Sequence, residues 1–269
     1  MRLLVYTAPS PAEDLALEEA MQLELEEGRA EPGWRVWQAV APAVVLGTGQ
    51  EHAREVNLDA ARAAGVPVLR RHSGGGAVLI GPGIINYSGF FRLAELPGSQ
   101  TISGAMQAGL QPVLAALLQL GVKAELAGLA DLAVRTAGFR IQDAGCREQQ
   151  QTTQDSALKK ITGNAQARKR VSVLVHGTLL ADPDWTLMER VLKFPTRAPE
   201  YRQDRGHRAF LTSLKELGVP SDLTSFVQML RAALSTVTAV VTDLSHGEKT
   251  KVHELFASRY SRENWHLRR

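Results

Sequence analysis

Arg70-Arg71-His72-Ser73-Gly74-Gly75-Gly76-Ala77-Val78 and Lys160-Ile161-Thr162-Gly163-Asn164-Ala165 are the two segments whose residue types could do chemistry. The first ends an apolar run, Val66-Pro67-Val68-Leu69, with two arginines and then three consecutive glycines. Such a run packs nothing and costs chain entropy, so it needs a backbone reason. A sharp loop that aims its N–H groups at an anion supplies one. A tight hairpin is the competing reason, but a plain hairpin has no use for the arginines. The second segment sets Lys160 beside a glycine-containing turn, which brings a point charge to a phosphate. Together they suggest a site that binds a nucleotide and activates a carboxylate. Lys160 would neutralise an α-phosphate and polarise the attacked acyl group; the plain alternative is an ordinary surface lysine.

Other residues join this set with weaker signals. Asn86 interrupts the apolar run Ile84-Ile85-Asn86-Tyr87, and a buried amide needs a partner, which fits a pocket. His176, in His176-Gly177-Thr178-Leu179-Leu180, either lines that pocket or satisfies the backbone of the next turn. Asp131 would hold Mg²⁺, fix Lys160, or stand in a surface turn. Lys159 points away from Lys160 on an extended chain and faces solvent. Cys146 beside Arg147 reads as an incidental exposed thiol ahead of a low-pKa nucleophile, because no histidine is near in sequence.

The elements that must position these residues follow from pattern. Ser10-Pro11-Ala12-Glu13 is a capping box opening a helix with Leu17, Met21 and Leu25 on one face. Strands are expected at Trp34–Trp37, Ala43–Gly47, Val66–Arg71, Ala77–Ile80 and Ile84–Phe91, with a short helix over Asn57–Ala64. A long helix runs from Thr101 to Leu120, kinked at Pro112 and stopped by Gly121. Arg135–Ala157 is polar and aperiodic, a mobile loop. Arg170–Leu180 alternates as a strand does, and the remainder is helical (Leu223–Thr236 and Gly247–Tyr260). Strands and helices interleaved without regular βα alternation indicate an α+β fold, a mixed sheet with flanking helices.

Composition bounds the rest. The chain has 269 residues, net charge +3, 44% hydrophobic and 22% charged residues, the proportions of a globular protein. A single domain over 1–269 is expected, with its core at about 30–220 and C-terminal helices at about 221–269. No apolar run is long enough to cross a bilayer and no secretory leader is evident, so a cytoplasmic protein with no membrane partner is expected. One cysteine excludes an internal disulfide framework and a cysteine-cluster metal site. Basic clusters at Arg168-Lys169-Arg170, Arg197–Arg208 and Arg259–Arg269 suit an acidic partner. Nucleic acid is disfavoured, since aromatics are only 6% and none interleaves with the basic runs.

These segments, in this order, resemble the lipoate–protein ligase A family within the biotin/lipoate ligase and octanoyltransferase superfamily. The matching stretches are Arg70–Val78, Asn86-Tyr87-Ser88, Ala130-Asp131-Leu132, Lys160–Gln166 and His176–Leu180. The resemblance implies the α+β catalytic-domain fold shared with biotin ligases and a two-step reaction. ATP with Mg²⁺ would activate lipoate to lipoyl-AMP, and a lysine of a lipoyl-domain acceptor would then attack it. By the same resemblance Lys160 is catalytic and contacts phosphate and acyl carbonyl. Arg71, Gly74, Gly75, Gly76, Ala77, Val78, Leu79, Asn86, Asp131 and His176 would line the nucleotide and acyl site. Leu79-Ile80-Gly81-Pro82-Gly83 replaces the His-Asp that many members carry after the glycine loop, and Ala130-Asp131 replaces Asn-Asp. The chain resembles short members without a C-terminal accessory domain, which can need a separate small subunit. Two alternatives remain: an octanoyl or lipoyl transferase acting through a Cys146 thioester, and a non-catalytic lipoate-binding homologue. A biotin ligase fits less well because its arginine-rich glycine loop is absent.

Overall fold

The structure, a computed structural model, describes residues 1–136, 157–235, 237 and 239–268. In chain order the elements are β1 (Arg2–Val5), α1 (Pro11–Glu26), β2 (Gly33–Trp37), β3 (Ala43–Leu46), α2 (His52–Glu55), α3 (Leu58–Ala63), β4 (Val68–Arg70), β5 (Val78–Ile80) and β6 (Ile84–Arg92). Then come α4 (Ile102–Gln119), β7 (Ala124–Ala127), β8 (Asp131–Thr136), β9 (Ala157–Arg168), β10 (Ser172–Leu180), α5 (Trp185–Val191) and α6 (His207–Phe210). The last are α7 (Leu223–Ala233), β11 (Ala239–Val241), α8 (His246–Leu255) and α9 (Glu263–His266).

Eight strands form one mixed sheet in the order β11-β1-β2-β6-β10-β9-β8-β7, and β4-β3-β5 form a second, small one. Alternation along β10 decides what covers the large sheet. Val173 and Val175 join the cluster that contains Met106, Leu110 and Val113 of α4, while Leu174 packs with Leu17 and Met21 of α1. The two helices therefore lie on opposite faces. An α+β fold of mixed sheet and flanking helices, as the sequence indicated, is what forms.

Several local expectations are corrected. Lys160 sits within the 12-residue strand β9, not beside a turn. Asp131 begins a strand, β8, paired with Gly163. The register slips between Leu132 and Ala133, which oppose Thr162 and Lys160, so Ile161 is an extra residue in a bulge that re-aims its neighbours. Arg135, Thr136 and Ala157 belong to the paired ends of β8 and β9, and the rest of the polar segment, Cys146 included, lies outside the described residues. Lys159 is half-buried, and the region after Leu180 contains a strand, β11. At the start of α1, Ser10 accepts from the Glu13 amide, but the Glu13 carboxylate takes the Ser10 hydroxyl. The reciprocal capping box stands instead at Ser245 and Glu248.

Candidate active site

A cavity of about 570 Å³ opens where the β5 end of the small sheet meets the middle of β9 and β10. Its walls are largely apolar, with Leu15, Trp37, Val78, Leu79, Ile80, Leu180, Met188 and Phe210 among them. Arg71, Gly75, Gly76, Ala77, Asn86, Asp131, Lys160 and His176 also line it, so the structure brings together nearly every residue the sequence singled out. Gly74 is the exception: it faces a separate basic cleft with Arg168, Lys169, Arg259 and Arg268.

The bulge and the neighbouring glycine explain how Lys160 reaches the cavity. Its Nζ lies 2.8 Å from Asp131 Oδ1, and Tyr201 donates its hydroxyl to Asp131 Oδ2 at 2.8 Å. Burial, and then the Asp131 charge, push the Tyr201 phenol well above its ordinary range, so it stays a donor. Of the readings open for Asp131, the structure shows it fixing Lys160. Among the described residues no group of three or more His, Cys, Asp or Glu side chains could hold a metal ion. A Cβ on Gly163 would stand 2.7 Å from Lys160 Nζ. The bare glycine is what lets the ammonium lie across the strand, so Gly163→Ala displaces it. We expect a 10- to 100-fold fall in turnover, roughly the loss of one oriented charge contact, with an unchanged thermal midpoint. Full activity in this variant contradicts that account of Gly163.

Behind the lysine, the turn before β8 is tied to β9. Asn164 donates to the Ala130 carbonyl at 2.6 Å and to Thr162 Oγ1 at 2.9 Å, and accepts from the Tyr87 hydroxyl. Asn86 is buried, and among the described residues its side-chain amide reaches only the Ile84 carbonyl, at 3.4 Å.

The glycine loop is held from beneath. Arg71 is buried and donates to the carbonyls of Val45, Gly74 and Gly76 and to Ser73 Oγ. Burial pulls it down to about 10, still cationic at neutral pH. Most of its donors are thus spent on the loop, although Arg71 also lines the cavity. Gly75 has φ +90, and its carbonyl fits only because Gly47 opposite lacks a Cβ, which would stand 2.2 Å away. Among the described residues the Gly75 and Gly76 amides meet no acceptor.

Sequence reasoning missed Glu18. Its Oε1 accepts from the Ser88 hydroxyl at 2.6 Å and lies 2.8 Å from His176 Nδ1; His176 Nε2 lies 2.7 Å from Ser73 Oγ. Burial pushes the Glu18 carboxyl up, but the His176 charge and hydrogen bond and the Ser88 hydroxyl outweigh it and bring it to about 2. The ionised Glu18 holds His176 by Nδ1, and Ser73 Oγ, which meets His176 Nε2, accepts from Arg71 Nε. One chain of hydrogen bonds runs from α1 through β10 into the glycine loop. His176 lines the cavity, as one reading had it, and braces this chain too.

The signal for Glu18 was a spacing of four. Asp14, Glu18 and Gln22 fall on one stripe of α1, and all three are buried. Asp14 pairs with the buried Arg35, while Gln22 donates to the Ala167 carbonyl and meets His72 Nε2 at 2.9 Å. Tyr201 was missed as well; no short-range pattern links it to Asp131, which lies 70 residues earlier.

Known proteins resemble this chain in sequence and in fold. The family described as lipoyl protein ligase A/B catalytic domain matches residues 10–235. The octanoyltransferase LipM of Symbiobacterium thermophilum is 29% identical over 97% of this chain and 95% of its own length. That of Moorella thermoacetica is 30% identical over 100% and 98%. A putative lipoate-protein ligase A of Aeropyrum pernix is 47% identical over 90 residues, 32% of this chain and 32% of its own. Among solved structures, the bi-partite lipoate protein ligase of Thermoplasma acidophilum superposes with a TM-score of 0.78 at 24% identity, covering 99% of this chain and 95% of that one. That likeness is one of fold. The profile match spans most of the 269 residues, and the chain belongs to the lipoyl protein ligase A/B catalytic-domain family.

Proposed function

We propose that this member of the family transfers an octanoyl or lipoyl group from a carrier thioester to a lysine of a lipoyl-domain acceptor, through a thioester on Cys146. The observation that carries the reading is the placement of Lys160 on an apolar cavity wall, three residues along β9 from the Thr136–Ala157 strand pair. The connection bearing Cys146 begins and ends at that pair. Three residues of strand span about 10 Å, while the eleven residues from Cys146 to Ala157 can span up to roughly 36 Å. Similarity to LipM octanoyltransferases over nearly the whole chain supports the same reading.

In the first step the Cys146 thiolate attacks the donor's acyl carbon, the donor C–S bond breaks, and the released thiolate takes up a proton. In the second, the acceptor lysine amine attacks the Cys146 thioester, an amide forms, the Cys146 thiolate leaves, and the amine gives up its proton. Lys160, held by Asp131, would stabilise the thiolate and the oxyanion of each tetrahedral intermediate. The apolar walls would hold the acyl chain, and the braced glycine loop would keep the carbonyl in register.

A second reading, ATP-dependent activation of lipoate, is favoured by the 47% identity to a putative lipoate-protein ligase A and by the acceptor-free Gly75 and Gly76 amides. There Mg²⁺ would arrive with ATP and Lys160 would touch the α-phosphate. Cys146→Ala separates the two. On the transfer reading it removes the acyl-enzyme adduct seen by mass spectrometry and lowers octanoyl transfer at least about 1,000-fold, as loss of a nucleophile does. A variant that still modifies the lipoyl domain, but only with lipoate and ATP, establishes the ligase instead.

A further inference from the structure

Arg202 is 4% exposed and lines the cavity, yet among the described residues no carboxylate forms an ion pair with its side chain. Its Nε donates to the Arg205 carbonyl at 2.8 Å, while among the described residues its buried Nη2 meets no acceptor. Its guanidinium lies over the Phe194 ring at 4.5 Å and the Phe210 ring at 4.9 Å. With rings against its faces, an acceptor must approach in the plane of the fork, the geometry that suits a planar or tetrahedral oxyanion.

The surrounding chain is shaped to hold it there. Arg205 Nε returns a bond to the Arg202 carbonyl at 2.9 Å, and the turn between them puts Gln203 and Asp204, with φ 50 and 57, in the left-handed region. Two such residues in succession, neither of them glycine, persist only where their surroundings over-determine them. Asp131 lies near enough for its charge to favour the Arg202 cation, but it forms no ion pair with Arg202 and directs its oxygens to Lys160 and Tyr201. Lys193 and Arg197 add further positive charge to the same wall. A buried, unpaired cation is costly unless an incoming anion completes it.

We infer that Arg202 is the phosphate-recognition residue of this cavity, and that it takes the phosphate ester of the donor's arm. The inference rests on the transfer reading. A thioester donor brings no carboxylate, so the fixed anion nearest its acyl group is the phosphate of a phosphopantetheine-type arm. A nucleotide is the other source of the same chemistry.

Two donors that differ only in that phosphate test it: octanoyl-4′-phosphopantetheine and octanoyl-pantetheine. Wild type should prefer the phosphorylated donor in kcat/KM by roughly 10- to 100-fold, the size of a charge-assisted hydrogen bond or two. Arg202→Gln should erase that preference through the phosphorylated donor alone, and Arg202→Lys should keep part of it. Equal losses on both donors, or no preference in wild type, overturn the inference; a thermal midpoint for each variant separates misfolding from lost recognition. Should wild type use neither donor but attach lipoate with ATP, the transfer reading fails on its own. Arg202 is then read on the nucleotide, where a tenfold rise in KM for ATP in Arg202→Gln upholds phosphate recognition and an unchanged KM overturns it.

Discussion

Lys160→Ala should lower acyl transfer to a lipoyl-domain lysine by about 100- to 1,000-fold, the usual effect of removing a group that neutralises transition-state charge. The fold should survive. The Lys160 side chain packs in no hydrophobic cluster, its backbone carbonyl still accepts from the Thr212 amide, and Asp131 keeps its bond from Tyr201. A stability change of about 1 kcal/mol or less is therefore expected, as for a partly exposed ion pair. Lys160→Arg should not rescue activity, because a flat five-donor fork does not take the place of a point charge lying across Gly163. Single-turnover transfer at saturating donor measures the effect. Residual activity within tenfold of wild type removes Lys160 from the mechanism.

The largest loss of stability should come from Glu18→Ala. Glu18 is 3% exposed, and its oxygen serves both His176 and Ser88. Removing one partner of a buried pair strands the other, at a cost of about 3–5 kcal/mol. The same residue gives the folded state a pH dependence. Its folded pKa of about 2 lies below the ordinary carboxyl value of 4.5, so between these values the unfolded chain binds more protons and stability rises with pH. This contribution is present above pH 4.5 and lost as pH falls through 2; at most it amounts to about 3 kcal/mol. Burial pushes His72 down from 6.5 to about 4, with Glu19 and Glu18 opposing. Over that window too the unfolded chain binds the proton, so stability again falls as pH drops from 6.5 through 4. Urea midpoints taken from pH 7 to pH 2.5 should decline steadily in wild type and flatten below pH 4.5 in Glu18→Gln. An equal slope in both would show that Glu18 is not the source.

The site was legible where its residues break a local rule. Three glycines after two arginines, an amide on an apolar strand and a histidine closing an alternating one were all visible in sequence, and Arg71, Gly75, Gly76, Asn86 and His176 do converge. What stayed hidden depends on tertiary partners. Asp14, Glu18 and Gln22 are polar residues on a helix, read by default as solvent-facing, yet each meets a polar group of the sheet. The Lys160 strand was read as a turn because its glycine suggested a bend, whereas Gly163 makes room for a side chain. β7 and β8 carry only short, weakly alternating patterns and take their extended form from pairing with each other and with β9.

The far end of the chain bears on when this site can form. The Arg70 amide donates to His266 Nδ1, the Arg70 side chain reaches the His266 carbonyl, and Trp265 Nε1 donates to the Arg70 carbonyl. These contacts clamp the strand that leads into the glycine loop, across more than 190 residues of sequence. During synthesis at about 5–20 residues per second, Arg70 leaves the ribosome roughly ten seconds or more before Trp265 and His266. The large sheet waits in the same way for β11, which pairs with β1. An enzyme with its glycine loop fully clamped is therefore a post-translational product, and a nascent chain has the loop's sequence without its final support.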